Sequence, residues 1–161
     1  MKTKTSLAII IPVYNEIESL KHLVHEIHLS LKNYQNYSIL FIDDGSTDGS
    51  FEFLKNIIKS DSKIHLIQFS INKGKSAALN EGFKWVQSDY IVTMDADLQD
   101  DPSEILNLLK KLDQGFDLVS GWKKKRNDPI SKTIPSRIFN FTTSFLTGIK
   151  IHDFNCGLQA D

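Results

Sequence analysis

The sequence predicts an α/β domain with a mostly parallel central sheet and helices on both faces. Three observations carry this. Short apolar runs alternate along the chain with segments of helical periodicity. The apolar runs lack the polar alternation of a sheet with one wet face. Polar, turn-forming residues fall just after the runs. With 161 residues, 40% of them hydrophobic and 24% charged, the chain suits a single globular domain over 1–161 with a real core.

The elements follow in order. Leu7–Val13 is a continuous apolar run closed by Pro12 and Asn15, so a buried strand. Ile17, Leu20, Leu23, Val24, Ile27 and Leu31 then recur at helical spacing, starting near Asn15 or Glu16. Ser38–Ile42 is a second strand, cut by the turn Asp43-Asp44-Gly45-Ser46, and Phe51, Leu54, Ile57 and Ile58 mark a second helix. Ile64–Phe69 is a third strand, Asn72-Lys73-Gly74-Lys75 a loop, and Ala77–Val86 a third helix. Tyr90–Met94 is the fourth strand. Asp101 caps a fourth helix with Pro102 at its first position, Gly115 ends it, and Asp117–Trp122 is a fifth strand.

Ligands of parallel sheets sit beyond the carboxyl ends of the strands. Asn15-Glu16, Asp43-Asp44, Asn72-Lys73 and Asp95–Gln99 all fall at such ends, so four loops are expected to converge on one crevice. Asp95 and Asp97, two residues apart at a strand end, would point the same way from the pleat, with Gln99 on that side too. Hard oxygen donors so placed suit Mg²⁺ or Mn²⁺, with positions left open for phosphate oxygens; the plainer alternative is a solvated acidic turn. Asp44 either accepts from a nucleoside or is a turn former before Gly45. Tyr14 either stacks on a base or packs, and Glu16 either lines the crevice or serves as a first-turn acid on a helix dipole. Lys75 either approaches a nucleotide or is a solvated lysine at a helix start.

Composition excludes several classes. The net charge of -1 does not suggest a nucleic-acid binder. One cysteine, Cys156, rules out an internal disulfide framework and fits a reducing compartment. No apolar stretch approaches the roughly 20 residues that span a bilayer, and the opening run is too short and β-like for a secretory signal. No internal repeat or low-complexity linker is present. Neither G-x-G-x-x-G after the first strand nor G-x-x-x-x-G-K-[ST] occurs, which disfavours a dinucleotide fold and a P-loop.

Pro12-Val13-Tyr14-Asn15-Glu16, Asp43 to Asp48, Asn72-Lys73-Gly74-Lys75 and Asp95 to Pro102 together resemble the family 2 glycosyltransferases with the GT-A (Rossmann-like) fold. Within them the chain is most similar to the dolichol-phosphate mannose synthase-like, or polyprenyl-phosphate glycosyltransferase, subgroup. The match continues through Gly121 to Pro129, Pro135-Ser136 and Gly148–Gln159, covering nearly the whole chain in order and spacing. The resemblance implies transfer of a sugar from a UDP- or GDP-linked donor to a polyprenyl phosphate at the cytoplasmic face of a membrane. It implies that Pro12, Tyr14, Glu16, Asp43, Asp44, Lys75 and Asp95 serve the nucleotide-sugar, and that Asp95, Asp97 and Gln99 hold or face the cation. Asp97 and Arg126 are the expected catalytic residues.

The basic segment from Lys123 to Arg137 is expected to face the same crevice, with Lys123, Arg126, Lys132 and Ser136 orienting the acceptor phosphate; otherwise it is a solvated surface. The stretch Ile134–Phe145 is either an amphipathic helix against the membrane or a core helix. His152 is expected to make a structural hydrogen bond in a block with Asp153, and Cys156 to pack. Lys123 and Gln159 depart from the subgroup's usual residues, which bears on the acceptor and not on the donor site. Relatives usually continue with more helix and membrane spans, so a chain truncated at its C-terminus is expected. Four other readings stand beside this one. A hydroxyl-glycosylating family 2 enzyme wants a later acidic base and a Q-x-x-R-W-type segment, both missing from these residues. A nucleotidyltransferase wants a Gly-rich basic loop after the first strand. A signalling receiver wants its acid pair after the first strand, and an inactive nucleotide-sugar-binding domain is the fourth reading.

Overall fold

A computed structural model describes residues 5–121 and 158–161. Among the described residues the strands are β1 (Leu7–Val13), β2 (Tyr37–Asp43), β3 (Ile64–Gln68), β4 (Tyr90–Thr93), β5 (Val119–Ser120) and β6 (Gln159–Ala160). The helices are α1 (Ile17–Ser30), α2 (Ser50–Ile57), α3 (Lys75–Trp85) and α4 (Ile105–Leu112). The strands form one sheet in the order β3-β2-β1-β4-β6-β5. β1 pairs in parallel with β2 and β4, and β2 with β3, whereas β6 runs antiparallel to both β4 and β5.

β1 shows why its sequence lacks polar alternation: both its faces are covered. Leu7, Ile9, Ile11 and Val13 join Leu20, Leu23 and Ile27 of α1, Leu54 of α2 and Ile105 and Leu109 of α4 in one core. Ala8 and Ile10 face the other way, with Leu40, Ile42, Ala78 of α3 and Val86. Pro12 sits inside β1 without breaking a ladder. Ile10 accepts from Met94 N on the β4 side, and pairing with β4 stops at Ile10 opposite Thr93. Pro12, two residues on, turns its missing N–H to that same side, past the end of β4.

α4 starts as expected. Asp101 Oδ1 accepts from Ser103 N at 2.9 Å and Pro102 opens a short 3₁₀ turn that leads into the helix. Gly115, at φ 93°, follows its end. Three elements differ from expectation. α3 begins at Lys75 and not Ala77, because its first two residues are polar and invisible to an apolar periodicity. The fifth strand shrinks from Asp117–Trp122 to Val119–Ser120, and β6 was not foreseen. Two-residue strands held by a distant partner leave no periodic signal.

Gly82 of α3 lies against the sheet so closely that a Cβ would stand 2.5 Å from Ile10 Cγ2 and 3.1 Å from Ile42 Cδ1. Gly82→Ala should therefore destabilise the fold by about 1–3 kcal/mol despite alanine's better helix propensity, read as a lower urea midpoint at unchanged slope. A raised midpoint would show that α3 packs less tightly than described.

Candidate functional site

From β1 the chain moves out to β2 and β3 on one side and to β4 on the other. The loops leaving β1 and β4 therefore diverge, and a crevice opens between them at the carboxyl ends of the strands. A cleft of about 300 Å³ lies there. It is lined by Pro12, Val13, Tyr14 and Glu16 after β1, Asp44 after β2, Asn72, Gly74 and Lys75 at the start of α3, and Asp95, Ala96 and Asp97 after β4. The expected convergence of four loops is thus the convergence observed.

The loop carrying Tyr14 and Glu16 is latched to the loop after β2 through backbone groups. Asn15 N donates to Ser46 Oγ, Glu16 N to Ser50 Oγ and Ile17 N to Asp48 Oδ2, each at 3.0 Å. Asn15 Oδ1 accepts from Thr47 N at 2.8 Å in return. Asn15 takes φ 57°, a left-handed conformation that asparagine tolerates. Asp48 Oδ1 also accepts from Ser50 N at 2.9 Å and Ser50 Oγ at 2.6 Å. Desolvation opposes ionisation of Asp48, but the hydrogen bonds from Ser50 and from Ile17 N outweigh it and hold the carboxyl below its ordinary value. In the sequence Asp48 stood out only as part of the family block, and Ser50 not at all. The usable signal was a row of side-chain acceptors, Ser46 to Ser50, placed beside two helix starts. The latch leaves Tyr14 48% exposed in the cleft, so buried packing does not describe it. Glu16, the N-cap of α1, lines the cleft and its Oε2 accepts from Ser19 Oγ at 3.2 Å.

Asp44 is 3% exposed and does more than line the cleft. Its Oδ1 accepts from Lys73 N at 2.7 Å and its Oδ2 from Gly74 N at 2.8 Å, so one carboxylate clamps the loop before α3. Gly45, at φ 76°, allows this close approach: a Cβ there would stand 2.8 Å from Asn72 N. Asp43 differs from expectation. It is fully buried, does not line the cleft, and its Oδ2 accepts from Ser46 N at 3.4 Å. Adjacent residues of a strand end face opposite ways, so only one of the pair can point to the α3 loop.

Asp95 and Asp97 both reach the cleft, but not along an extended strand. β4 ends at Thr93, Leu98 takes φ 62°, and Asp97 Oδ1 accepts from Gln99 N at 3.0 Å. A tight turn follows Asp97, and both carboxylates line the same cleft. Gln99 is exposed and does not line the cleft. Lys75 is not simply solvated, since its ammonium pairs with Asp95 Oδ1. Among the described residues no three His, Cys, Asp or Glu side chains form a preassembled cage for a metal. Two carboxylates facing open space still fit Mg²⁺ or Mn²⁺, which commonly take one or two protein carboxylates and fill the remainder with substrate phosphate and water. The Lys75 ammonium on Asp95 marks the place as one where positive charge settles. Lys123, Arg126, Lys132, Ser136, His152, Asp153, Cys156 and the stretch Ile134–Phe145 lie outside the described residues.

The family model for glycosyl transferase family 2 matches residues 8–160. The chain belongs to that glycosyltransferase family. An undecaprenyl-phosphate 4-deoxy-4-formamido-L-arabinose transferase of Salmonella choleraesuis (strain SC-B67) is 39% identical over 156 residues, which are 96% of this chain and 48% of the relative. The chain thus spans about half the length of the curated relatives it matches. Among solved structures, the mannosyltransferase PcManGT from Pyrobaculum calidifontis, in complex with GDP-Man and Mn²⁺, superposes with a TM-score of 0.67 at 23% identity, covering 78% of this chain and 38% of that one. Glucosyl-3-phosphoglycerate synthase from Mycobacterium tuberculosis, in complex with UDP, gives a TM-score of 0.72 at 17% identity, covering 97% and 56%. These likenesses carry the GT-A fold, as the sequence motifs implied. Among the described residues no helix is long and apolar enough to cross a membrane.

Asp48 yields a pH-dependent prediction for this domain. Its folded pKa lies below the unfolded value of about 3.9, so its stabilisation is fully present above that pH and disappears as pH falls through the folded pKa. Asp48→Ala should cost about 1 kcal/mol at pH 7, on the scale of a lost helix cap, and the gap to wild type in melting experiments should narrow only below about pH 4. A gap that is constant down to pH 3 would show that the carboxylate charge does not hold the latch.

Proposed function

We propose that residues 1–161 form a single GT-A catalytic domain that transfers a sugar, with inversion, from a UDP- or GDP-linked donor to a polyprenyl phosphate, using Mg²⁺ or Mn²⁺. One observation carries the donor half: the cleft at the β1/β4 divergence combines an exposed tyrosine with carboxylates from three loops. Tyr14 would stack on the base beside Pro12, with Asp44 and Glu16 toward the nucleoside. Among the described lining residues, Glu16, Asp44, Asp95 and Asp97 stand against Lys75 alone. An anionic diphosphate is repelled from such a cleft unless a cation accompanies it. Asp95 and Asp97 would hold that cation, with Gln99 adjoining. A bound Mg²⁺ or Mn²⁺ would supply Lewis-acid stabilisation of the departing diphosphate.

The acceptor half is supported by the name of the curated relatives, which act on undecaprenyl phosphate. A phosphate monoester has its second pKa near 6, so it is largely a dianion at pH 7 and serves as nucleophile without a protein base. Lys123, Arg126, Lys132 and Ser136 would position it for in-line attack on the anomeric carbon, which is the larger task. The lipid would bring the domain to the cytoplasmic face of a membrane as a peripheral contact. Transfer to a sugar hydroxyl is the second reading, and it requires a carboxylate base that none of these residues is assigned to be.

Calorimetric titration with UDP and GDP, with and without Mn²⁺, tests the donor site. One nucleotide should bind in a Mn²⁺-dependent way, and Asp97→Ala should weaken it about tenfold or more, as for loss of a charge-assisted contact. Binding of neither nucleotide would overturn the donor site. Arg126→Ala should leave nucleotide binding near wild type while reducing turnover with a polyprenyl phosphate; equal losses in both would remove Arg126 from the acceptor side.

A further inference from the structure

Lys75 is the first residue of α3, a place that disfavours a cation. The first turn of α3 holds no acidic residue, and its N-cap, Gly74, gives no side-chain hydrogen bond. Unsatisfied N–H groups make a helix start partly positive, so an ammonium there is repelled by its own helix. Asp44 brings a negative charge to this helix start, but its two oxygens go to Lys73 N and Gly74 N and not to the ammonium. What holds Lys75 lies across the cleft: Nζ pairs with Asp95 Oδ1. Asp95 is also one of the two carboxylates that face the proposed cation position. A divalent ion arriving alone at Asp95 therefore meets an ammonium already in contact with its ligand, and like charges at that range repel. A diphosphate reverses the balance, because its oxygens satisfy the ion and the ammonium together. Lys75 has the freedom to turn, its side chain being 53% exposed.

We infer that Lys75 is a charge switch that couples cation binding to nucleotide binding. Resting on Asp95, it keeps a free divalent ion off the empty cleft; when the donor arrives it moves onto the diphosphate and yields Asp95 to the ion. This rests on the donor site proposed above and adds an order of loading to it: the ion enters with the diphosphate, not before it.

The test is a linkage measurement on the full chain with MnCl₂, UDP and GDP as probes, read by calorimetry. In wild type, Mn²⁺ alone should bind weakly, and saturating nucleotide should tighten it by about tenfold or more, within the usual range of coupling between sites. In Lys75→Met, Mn²⁺ alone should bind about three- to five-fold tighter, the scale of a half-exposed ion pair released. Nucleotide in the presence of Mn²⁺ should bind more weakly, so the coupling shrinks from both ends. Lys75→Arg, which keeps the charge, should stay near wild type, and melting curves confirm that each variant is folded. Nucleotide binding together with an unchanged affinity for Mn²⁺ alone in Lys75→Met overturns the switch and spares the donor site. Absence of nucleotide binding in wild type overturns both.

Discussion

The carboxylates of Asp44 and Asp48 tie the loops after β1, after β2 and before α3 into one unit by accepting backbone N–H groups, and the cleft depends on those ties. Helix starts leave N–H groups without partners, and a charged oxygen satisfies them more strongly than a neutral one. Ile17 and Ser50, the first residues of α1 and α2, are both served by Asp48, while Asp44 serves the two residues ahead of α3. The acidic loop after β2 is thus structural first. Its carboxylates position Tyr14, Glu16 and Lys75 before any ligand is considered.

Packing supplies the platform for those ties. β1 has no wet face, and the register of β1 with β4 ends at Ile10 opposite Thr93. Beyond that point the sheet no longer fills the space between the two strands, and Pro12 needs no partner there for a donor it lacks. The same divergence that frees Pro12 opens the cleft. Stability and function meet at one place: the core that buries Ile9, Ile10 and Ile11 completely also fixes where the ladder stops.

Electrostatics sets what the cleft accepts. Carboxylates dominate its described lining, held in place by backbone donors, the Ser19 hydroxyl and a single ammonium. Such a surface repels an anion unless a cation accompanies it.

Much of this was determined by the sequence alone. Four apolar runs without alternation identified β1 to β4, and helical spacing identified the covering helices, because burial on both faces and on one face leave different periods. Tyr14, Glu16, Asp44, Asp95 and Asp97 were legible as crevice residues from their places after strands, Pro12 and Lys75 only through the family resemblance, and all seven line the cleft. Tertiary structure alone decided the remainder. Asp43 and Asp44 are neighbours of one type, and only the pleat sends one into the core and the other to the α3 loop. The left-handed turn at Leu98 follows Asp97, and Gln99 beyond it lies outside the cleft. β6 arises from pairing with β4 and β5 across a long sequence separation, and the Lys75–Asp95 pair bridges α3 and the loop after β4. Local pattern reports what a residue buries; partners brought together from distant segments are set by the path of the chain, which no short window of sequence contains.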